Sequence, residues 1–440
     1  MLEILALLLL SQENPAPPPQ APPKAESSSF LDPIQGWINM RYRFRTNGRE
    51  NDTDLYEIVG LNWGNPDKDA LTATVLAKIS EDLDGNRNVQ GYYPFTSLAD
   101  SYGGSVVPWI YTAYLEAHPG AGVIVRAGRQ TLEEFPEAVP MDGGWLKIPV
   151  SSHFLLAVFG GVPTNLFESF PQGDVMYGAS VDWIPDPSRR GRYRVEYLHV
   201  RDENVFGLHD DDLLGFSLDE AEGPFSVHAR YTILEGTSRD LVARFSGALP
   251  EAEFVFDLQG TYVFRRIGVL SFALDPFASF LMALEPYLDL VARLSKSFGG
   301  TVSIDASVTS RRLVQGAAES TYNHAFERFE IAPRINHWPF PELSIRVAAD
   351  FWNSTGNDFW SAGGELVWTP HPDVQLSAGS SYALYSIDSL TGEERNRVRL
   401  YTAMLRWKVA RGSSFDVRFS FEQTAVGDFR VLEFGFRHAF

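Results

Sequence analysis

Apolar and polar residues alternate with a period of two along many segments of the chain. In segment 225–233, every second residue from Phe225 is apolar and the intervening residues are polar. The same alternation recurs in segments 38–45, 71–80, 175–183, 253–265, 301–309, 343–351, 415–422 and 428–440. Because successive side chains of a strand point to opposite faces, the pattern predicts β-strands with one apolar and one polar face.

The length of these segments indicates where the strands lie. They run to about nine to twelve residues, whereas globular strands have roughly five or six. Strands that cross a bilayer need about nine to eleven residues. The pattern therefore predicts an all-β fold, a transmembrane antiparallel β-barrel of about 18 strands, within a range of roughly 16 to 20. The alternative is a soluble propeller or sandwich, but we find no repeat of about 40 residues that blades would give.

The final predicted strand ends at the chain terminus. Its alternating positions hold Leu432, Phe434, Phe436, His438 and Phe440. This end resembles the closing strand of Gram-negative outer-membrane β-barrels, which finish in phenylalanine, with His438 as the one departure. The resemblance implies that Leu432, Phe434, Phe436 and Phe440 form the signal that the barrel assembly machinery reads. It also implies a location in the cell outer membrane, in contact with outer-membrane lipid.

The connections between strands fall into two classes. Proline-containing stretches at 184–188, 249–251, 338–341 and 369–373 are predicted as tight turns. Longer polar stretches, predicted as loops, lie at 82–107, 131–147, 202–212, 311–324, 352–358 and 386–396. Short turns on one rim and long loops on the other are typical of an outer-membrane barrel. Segment 266–285 is more apolar and irregular, and is interpreted as a loop folded inward or a short helix.

Composition excludes several classes of function. The chain has no cysteine, which excludes disulfides, thiolate metal sites and a cysteine nucleophile. Its net charge of −19 argues against nucleic-acid binding, which requires a basic surface. Ser152 and His153 are adjacent, so in a strand they face opposite ways and cannot pair as catalytic groups. We therefore predict no enzyme activity, no cofactor and no metal site.

Three regions are predicted along the chain. Residues 1–13 contain the apolar run Leu2–Leu10, which resembles the core of a secretory signal, although Glu3 stands where a basic residue is usual. Residues 14–28 form a proline-rich linker. Residues 29–440 are predicted to form the barrel.

Arginine recurs within the alternating segments. If the apolar faces contact lipid, the opposite faces line an aqueous lumen, because a barrel of this size is not filled by its own side chains. Rings of arginine favour anions, although pairing with carboxylates on neighbouring strands is an equal alternative for any one residue. The predicted pore-lining residues are Arg41, Arg43, Arg45, Arg126, Arg192, Arg194, Arg230, Arg244, Arg346, Arg399 and Arg418. Replacing the first three with Glu is expected to shift selectivity towards cations and to leave assembly intact.

A second resemblance spans Val123 to Gly143. Segment 123–130 ends in Gly128-Arg129-Gln130, and Met141-Asp142-Gly143 follows. This combination resembles the alginate-export and related porin families. It implies an 18-stranded barrel with an arginine-rich conduit for an anionic polysaccharide. For Arg129 and Gln130, the structural alternative is a hydrogen-bonding role at the rim.

Three functions therefore remain open at the level of sequence. The first is a porin for the passive passage of small hydrophilic solutes, preferentially anionic. The second is an export conduit for an anionic polysaccharide. The third is a structural or adhesin barrel whose lumen is plugged, for instance by segment 266–285. An oligomer is possible, but no feature of the sequence decides it.

Overall fold

The fold is one closed antiparallel sheet. The computed structural model describes residues 34–84, 105–132, 138–164, 173–186, 191–204, 207–265, 285–314, 317, 325–354, 357–383, 386–387, 394–395, 398–424 and 427–440. Within these residues, 22 strands pair side by side in chain order, and the first strand also pairs with the last. The predicted all-β antiparallel barrel is confirmed, and segment 266–285 falls almost entirely outside the described residues.

The strands are numbered in chain order, and β20 and β21 form a small hairpin that pairs only with itself. The bounds are β1 (Ile34–Thr46), β2 (Asn51–Trp63), β3 (Leu71–Asp82), β4 (Val106–Gly120), β5 (Val123–Leu132), β6 (Val139–Pro149), β7 (Phe154–Pro163), β8 (Val175–Trp183), β9 (Arg192–Asn204), β10 (Gly207–Glu222), β11 (Phe225–Leu234), β12 (Thr237–Leu249), β13 (Phe254–Val263), β14 (Tyr287–Phe298), β15 (Val302–Leu313), β16 (Phe326–Asn336), β17 (Leu343–Ser354), β18 (Asn357–His371), β19 (Val374–Ala383), β20 (Ser386–Ile387), β21 (Glu394–Arg395), β22 (Val398–Ala410), β23 (Ser413–Gln423) and β24 (Asp428–Ala439).

The barrel has 22 strands, so the prediction of about 18 was too low. Segment 131–147, predicted as a loop, contains most of β6, where Pro140, Gly143 and Gly144 hide the alternation. Segment 202–212, also predicted as a loop, forms the paired ends of β9 and β10. Its acidic residues do not prevent pairing, because the ladder is made by backbone groups. Most of segment 352–358 is likewise strand.

The seam between β1 and β24 closes the sheet over ten residue pairs, from Trp37 opposite Ala439 to Thr46 opposite Arg430. The terminal Phe440 extends the seam, because its N–H donates to the Gly36 carbonyl and its carbonyl accepts from the Gly36 N–H, both at 3.0 Å. A closed sheet has no free edge, and this satisfies the backbone hydrogen bonding that a bilayer requires.

The two rims of the barrel carry different connections. We call the rim at the start of β1 and the end of β24 the terminal rim. Its connections include two-residue turns after β4, β10 and β22. The predicted tight turns at 249–251, 338–341 and 369–373 all lie at this rim, and 184–188 lies partly outside the described residues. The loops predicted at 82–107, 311–324 and 386–396 join strands at the opposite rim, and most of their residues are not described.

The two faces of the sheet differ in chemistry, as β8 illustrates. Val175, Tyr177, Val181 and Trp183 are exposed, whereas the alternate side chain of Asp182 is buried. Side chains converge on the concave face of a closed sheet and diverge on its convex face, so the buried set points inward. Other large apolar side chains exposed on the outward face are Phe216, Phe245, Leu258, Leu290, Phe351, Phe419, Phe434 and Phe436.

Aromatic side chains gather near both ends of the outward face. Trp183 and Tyr193 lie 5.2 Å apart near the terminal rim, and Tyr177 stacks on His199 at 4.6 Å near the opposite rim. Tyr193 and His199 are six residues apart on β9, which corresponds to about 20 Å of strand. An apolar band flanked by aromatic girdles is the outer surface of a membrane barrel. Among the described residues there is no helix long and apolar enough to cross a membrane.

Candidate pore lining

Ten of the eleven arginines predicted to line a pore lie on the inward face. Their register places them there, as Arg43 opposite Asp54 and Arg244 opposite Gln259 illustrate. Arg399 is the exception, because it was predicted to face inward but lies opposite Tyr382, on the outward face that also carries Trp407. Its segment adjoins a stretch without alternation, so sequence alone did not show its face.

Two of these arginines belong to a buried charge network on β1 and β2. Arg43 donates from Nε and Nη2 to Oδ2 of Asp54 at 3.2 and 2.8 Å. Arg45 Nε donates to Asp52 at 2.6 Å, and its Nη2 lies 3.3 Å from Asp54. Asp54 is only 1% exposed. These guanidiniums are therefore neutralised by carboxylates and hidden from solvent, while Arg41 is partly exposed, 3.9 Å from Glu433.

A second network links β8, β9 and β10. Arg194 is buried and binds both carboxylate oxygens of Asp182, with Nη2 at 2.9 Å from Oδ2. Arg192 is more exposed and lies 3.9 Å from Asp182 and 3.3 Å from Asp219. On the neighbouring part of the wall, Arg126 lies 2.5 Å from Glu116. Ion pairing across strands therefore holds this part of the inner wall.

The remaining wall repeats the arrangement in more exposed form. Arg244 and Arg293 share Asp257, at 2.8 and 3.5 Å. Further inward pairs are Arg311 with Asp289, Arg328 with Asp350, Arg346 with Glu330, and Arg418 with Asp416. The alternative weighed from the sequence, pairing between neighbouring strands, thus describes most of the inward arginines.

A smaller group of inward cations has no carboxylate partner among the described residues. Arg334, Arg406 and Lys408 make no ion pair there, and Arg437 contacts only the ring of Trp37, at 5.5 Å from its centroid. All four lie in the half of their strands nearest the terminal rim. Arg230 on β11 also lacks an ion pair within the described ranges. Among the described residues, the inward cations without an ion pair that we identify therefore lie mostly near the terminal rim.

An apolar cluster interrupts the polar inner face on one wall, and the sequence reading missed it. Its members on β5 to β11 are Leu132, Met141, Trp145, Ala157, Phe159, Met176, Leu198, Val200, Leu213 and Leu234. Several of them, including Leu198 and Leu213, are completely buried. A signal exists in β9, where the inward set changes from Arg192 and Arg194 to Leu198 and Val200. This part of the inward face is therefore apolar and buried.

The opposite wall is lined by small side chains instead. On β17 to β19 the inward positions include Ala348, Gly363, Ser377, Gly379 and Ser381. A cavity of about 230 Å³ lies here, and Arg346, Glu365 and Thr402 are among its lining residues. Within the described residues, no cluster of three or more His, Asp or Glu side chains could hold a metal ion.

The two parts of the Gly-Arg-Gln and Met-Asp-Gly motif lie side by side on β5 and β6. Arg129 is opposite Asp142 and binds it through two hydrogen bonds, at 2.8 and 2.6 Å. Both side chains are on the outward face, because Gln130 and Met141 beside them are buried on the inward face. Gln130 donates to the Gly143 carbonyl at 3.2 Å. The motif therefore makes local hydrogen bonds on the barrel wall.

The predicted assembly signal lies on β24 and the residue after it, with all its side chains outward. Phe434 is opposite Tyr42, and Phe436 is opposite Met40. Leu432 lies opposite Phe44 on the same face, and Phe440 follows at the terminal rim. These residues thus form an apolar stripe along the seam where the barrel closes.

No protein-family model and no curated protein matches the sequence, but solved structures resemble the chain. The P pilus usher (PapC) translocation pore is similar in structure, with a TM-score of 0.51 and 8% identity, over 92% of this chain and 99% of that chain. OccAB3 of Acinetobacter baumannii covers 92% of this chain and 99% of its own, with a TM-score of 0.44 and 9% identity. A BenF-like porin from Pseudomonas fluorescens covers 94% of this chain and 100% of its own, with a TM-score of 0.41 and 11% identity. The likeness to the usher pore supports the fold, a large closed β-barrel, and the exposed apolar side chains of its outward face are of the kind that contacts lipid in membrane barrels.

Proposed function

We propose that the protein is an outer-membrane channel for the passive passage of small hydrophilic solutes. The observation that carries this proposal is a closed 22-stranded sheet with charged side chains inward and apolar side chains outward. A barrel of this size encloses more space than its own side chains fill. The wall of small residues on β17 to β19 provides the open side of that lumen. Nothing in this proposal requires a catalytic group.

We further propose a modest preference for anions, carried by a different set of cations from the one the sequence indicated. Arg43, Arg45 and Arg194 are neutralised by buried carboxylates, so they contribute little field to the lumen. Arg334, Arg406, Lys408 and Arg437 lack such partners among the described residues. Rings of unpaired cations lower the barrier for anions and raise it for cations. Small anions rather than a polysaccharide are the proposed solutes, since the ion-paired wall offers no continuous basic track.

One observation favours a second candidate, a structural or adhesin barrel with a filled lumen. The apolar cluster around Leu198 and Leu213 is buried on the inward face, and these two side chains are completely buried. Apolar side chains facing open water would lose about 25 cal/mol for each Å² exposed, so such a cluster requires packing against it. If the packing extends across the whole section, no solute passes.

Reversal potentials of the full-length protein in planar bilayers under a salt gradient test both candidates. The channel proposal predicts stable conductance and a reversal potential on the anion side. Replacing Arg334 and Arg406 with Gln should move the reversal potential towards the cation side. The matched control, Glu365→Gln on β18 between the strands that carry the two arginines, should move it the other way. Protein that is folded but does not conduct would favour the filled barrel, and a reversal potential insensitive to both changes would contradict the selectivity proposal.

A further inference from the structure

One acidic side chain without a partner among the described residues lies on the outward face, near the middle of its strand. Glu57 is the central residue of the 13-residue strand β2. It lies opposite Met40 and Ile79, and both neighbours share its outward face with Leu61 and Val75. Glu57 makes no hydrogen bond or ion pair with any residue that the structure describes. Lys296, another outward charge, lies close to a strand end, where water is within reach, and the outward Arg129 is paired with Asp142.

An isolated carboxylate in the hydrocarbon region is unfavourable. Charged groups within the membrane usually face a partner or a water-filled cavity, and mark a functional surface. Glu57 has no partner among the described residues of its own chain and does not face the lumen, because it lies on the outward face. A partner outside the chain is therefore the simplest source of compensation.

The same sector carries a complementary cation. Arg129 on β5 is outward and 36% exposed at its side chain, although it binds Asp142. Its third hydrogen bond, from Nη1 to the Ile110 carbonyl at 3.2 Å, holds it on the wall. Glu57 and the Arg129–Asp142 pair bracket β3 and β4, whose outward face includes the small residues Ala77 and Ala113.

Glu57 and Arg129 lie at similar depth. Because the strands are tilted, a row of residues paired from strand to strand moves towards the opposite rim as the strand number increases. An example is the row that begins at Trp183, at the terminal-rim end of β8, and passes through Tyr193 on β9 to Leu218 on β10. Three strands at about 4.8 Å spacing and a tilt of about 40° raise a row by roughly 10 Å. Pro108 on β4 belongs to the same row as Glu57. Arg129 lies opposite Ala113, which is further along β4 towards the terminal rim. This difference in depth is also about 10 Å.

We infer that the outward face of β2 to β6 is an interface with a second copy of this chain. A two-fold axis along the membrane normal, between β3 and β4, brings Glu57 of one copy to Arg129 of the other at equal depth, and the reverse pair forms by symmetry. The charges are complementary, and small residues near the axis allow the two walls to approach closely. The inference is independent of what the lumen conducts.

Cysteine cross-linking in outer membranes tests the interface directly, because the chain has no cysteine of its own. Ala77→Cys, near the proposed axis, should give a dimer with a membrane-permeant bis-maleimide. The matched control is Ala292→Cys on β14, which is also small and outward but outside the sector. It should remain monomeric. Heat-modifiable migration on gels confirms that each variant is folded.

Adding Glu57→Gln to the Ala77→Cys protein tests the charge pair. Polar contacts within membranes contribute about 1–2 kcal/mol, so cross-linked dimer should fall roughly fivefold or more. Glu81→Gln, outward but near the opposite rim, should leave the dimer unchanged. Equal cross-linking of the Ala77 and Ala292 variants, or a dimer unaffected by Glu57→Gln, would overturn the inference. Cross-links to a different protein at position 77 would overturn it as well.

Discussion

Removal of Arg43 is the most informative change to the inner wall. From the sequence, charge reversal of Arg41, Arg43 and Arg45 was expected to alter selectivity and spare assembly. The geometry predicts a loss of stability instead for Arg43. Asp54 is 1% exposed and accepts two hydrogen bonds from Arg43. In Arg43→Met the apolar stem is retained, so the main effect is a buried carboxylate deprived of its partner.

The expected cost follows from that burial. Breaking a buried ion pair by removing one partner costs roughly 3–5 kcal/mol. Arg45 remains 3.3 Å from Asp54 and compensates in part, so we expect the lower end, about 3 kcal/mol. This is roughly a hundredfold change in the unfolding equilibrium. Urea unfolding in lipid vesicles, followed by tryptophan fluorescence, measures it.

Two variants make the result specific. Arg437→Met removes an inward, exposed arginine and should change the free energy of unfolding by less than about 0.5 kcal/mol. Arg43→Met combined with Asp54→Leu replaces the pair by apolar groups and should recover most of the loss. If Arg43→Met is as mild as Arg437→Met and changes ion selectivity, Arg43 is a free cation in water and the buried network is refuted.

Three further changes have defined outcomes. Replacing Phe440 with Ser should reduce the fraction of assembled barrel, seen as loss of heat-modifiable migration, and leave the conductance of any assembled protein normal. Gly161→Ala should destabilise the barrel by about 1–3 kcal/mol, because the added Cβ would overlap the carbonyl oxygen of Asp142 on the neighbouring strand. Gly364→Ala, where the nearest atom is 3.6 Å away, is the control, and equal urea midpoints would contradict the argument. Leu198→Ala should cost about 2–5 kcal/mol, against a smaller loss for the lipid-facing Leu294→Ala, and equal losses would mean that the cluster is not packed.

The barrel was predicted from alternation, from the length of the segments and from the resemblance of the last strand to a closing strand. Alternation is informative because lipid on one face and water on the other impose a period of two on each strand. Alternation did not identify strands whose residues show no difference between an apolar and a polar face. In β6, Gly143 packs against the backbone of Gly161 at a distance that leaves no space for a Cβ, so the strand has no apolar alternation there. β6 was therefore predicted as part of a loop, and this contributed to the low strand count.

The site was harder to predict than the fold. Alternation indicates that Arg43 and Arg194 share the inward face, but it does not say which residue lies opposite. Register between strands decides that Arg43 meets Asp54 and that Arg194 meets Asp182. The cations near the terminal rim that have no ion pair among the described residues differ from the paired ones by these neighbours. The lipid-facing position of Glu57 also depends on register with β1 and β3.

Reactivity of single cysteines along β15 tests the central claim most directly. Cysteines at 306, 307, 308 and 309 replace Ala306, Ser307, Val308 and Thr309 in a chain without native cysteine. The register predicts that positions 307 and 309 react with a sulfonated, water-soluble maleimide, whereas 306 and 308 react only with a bilayer-soluble reagent. Uniform reactivity, or the reverse alternation, would contradict a barrel with charged residues inward and apolar residues in lipid.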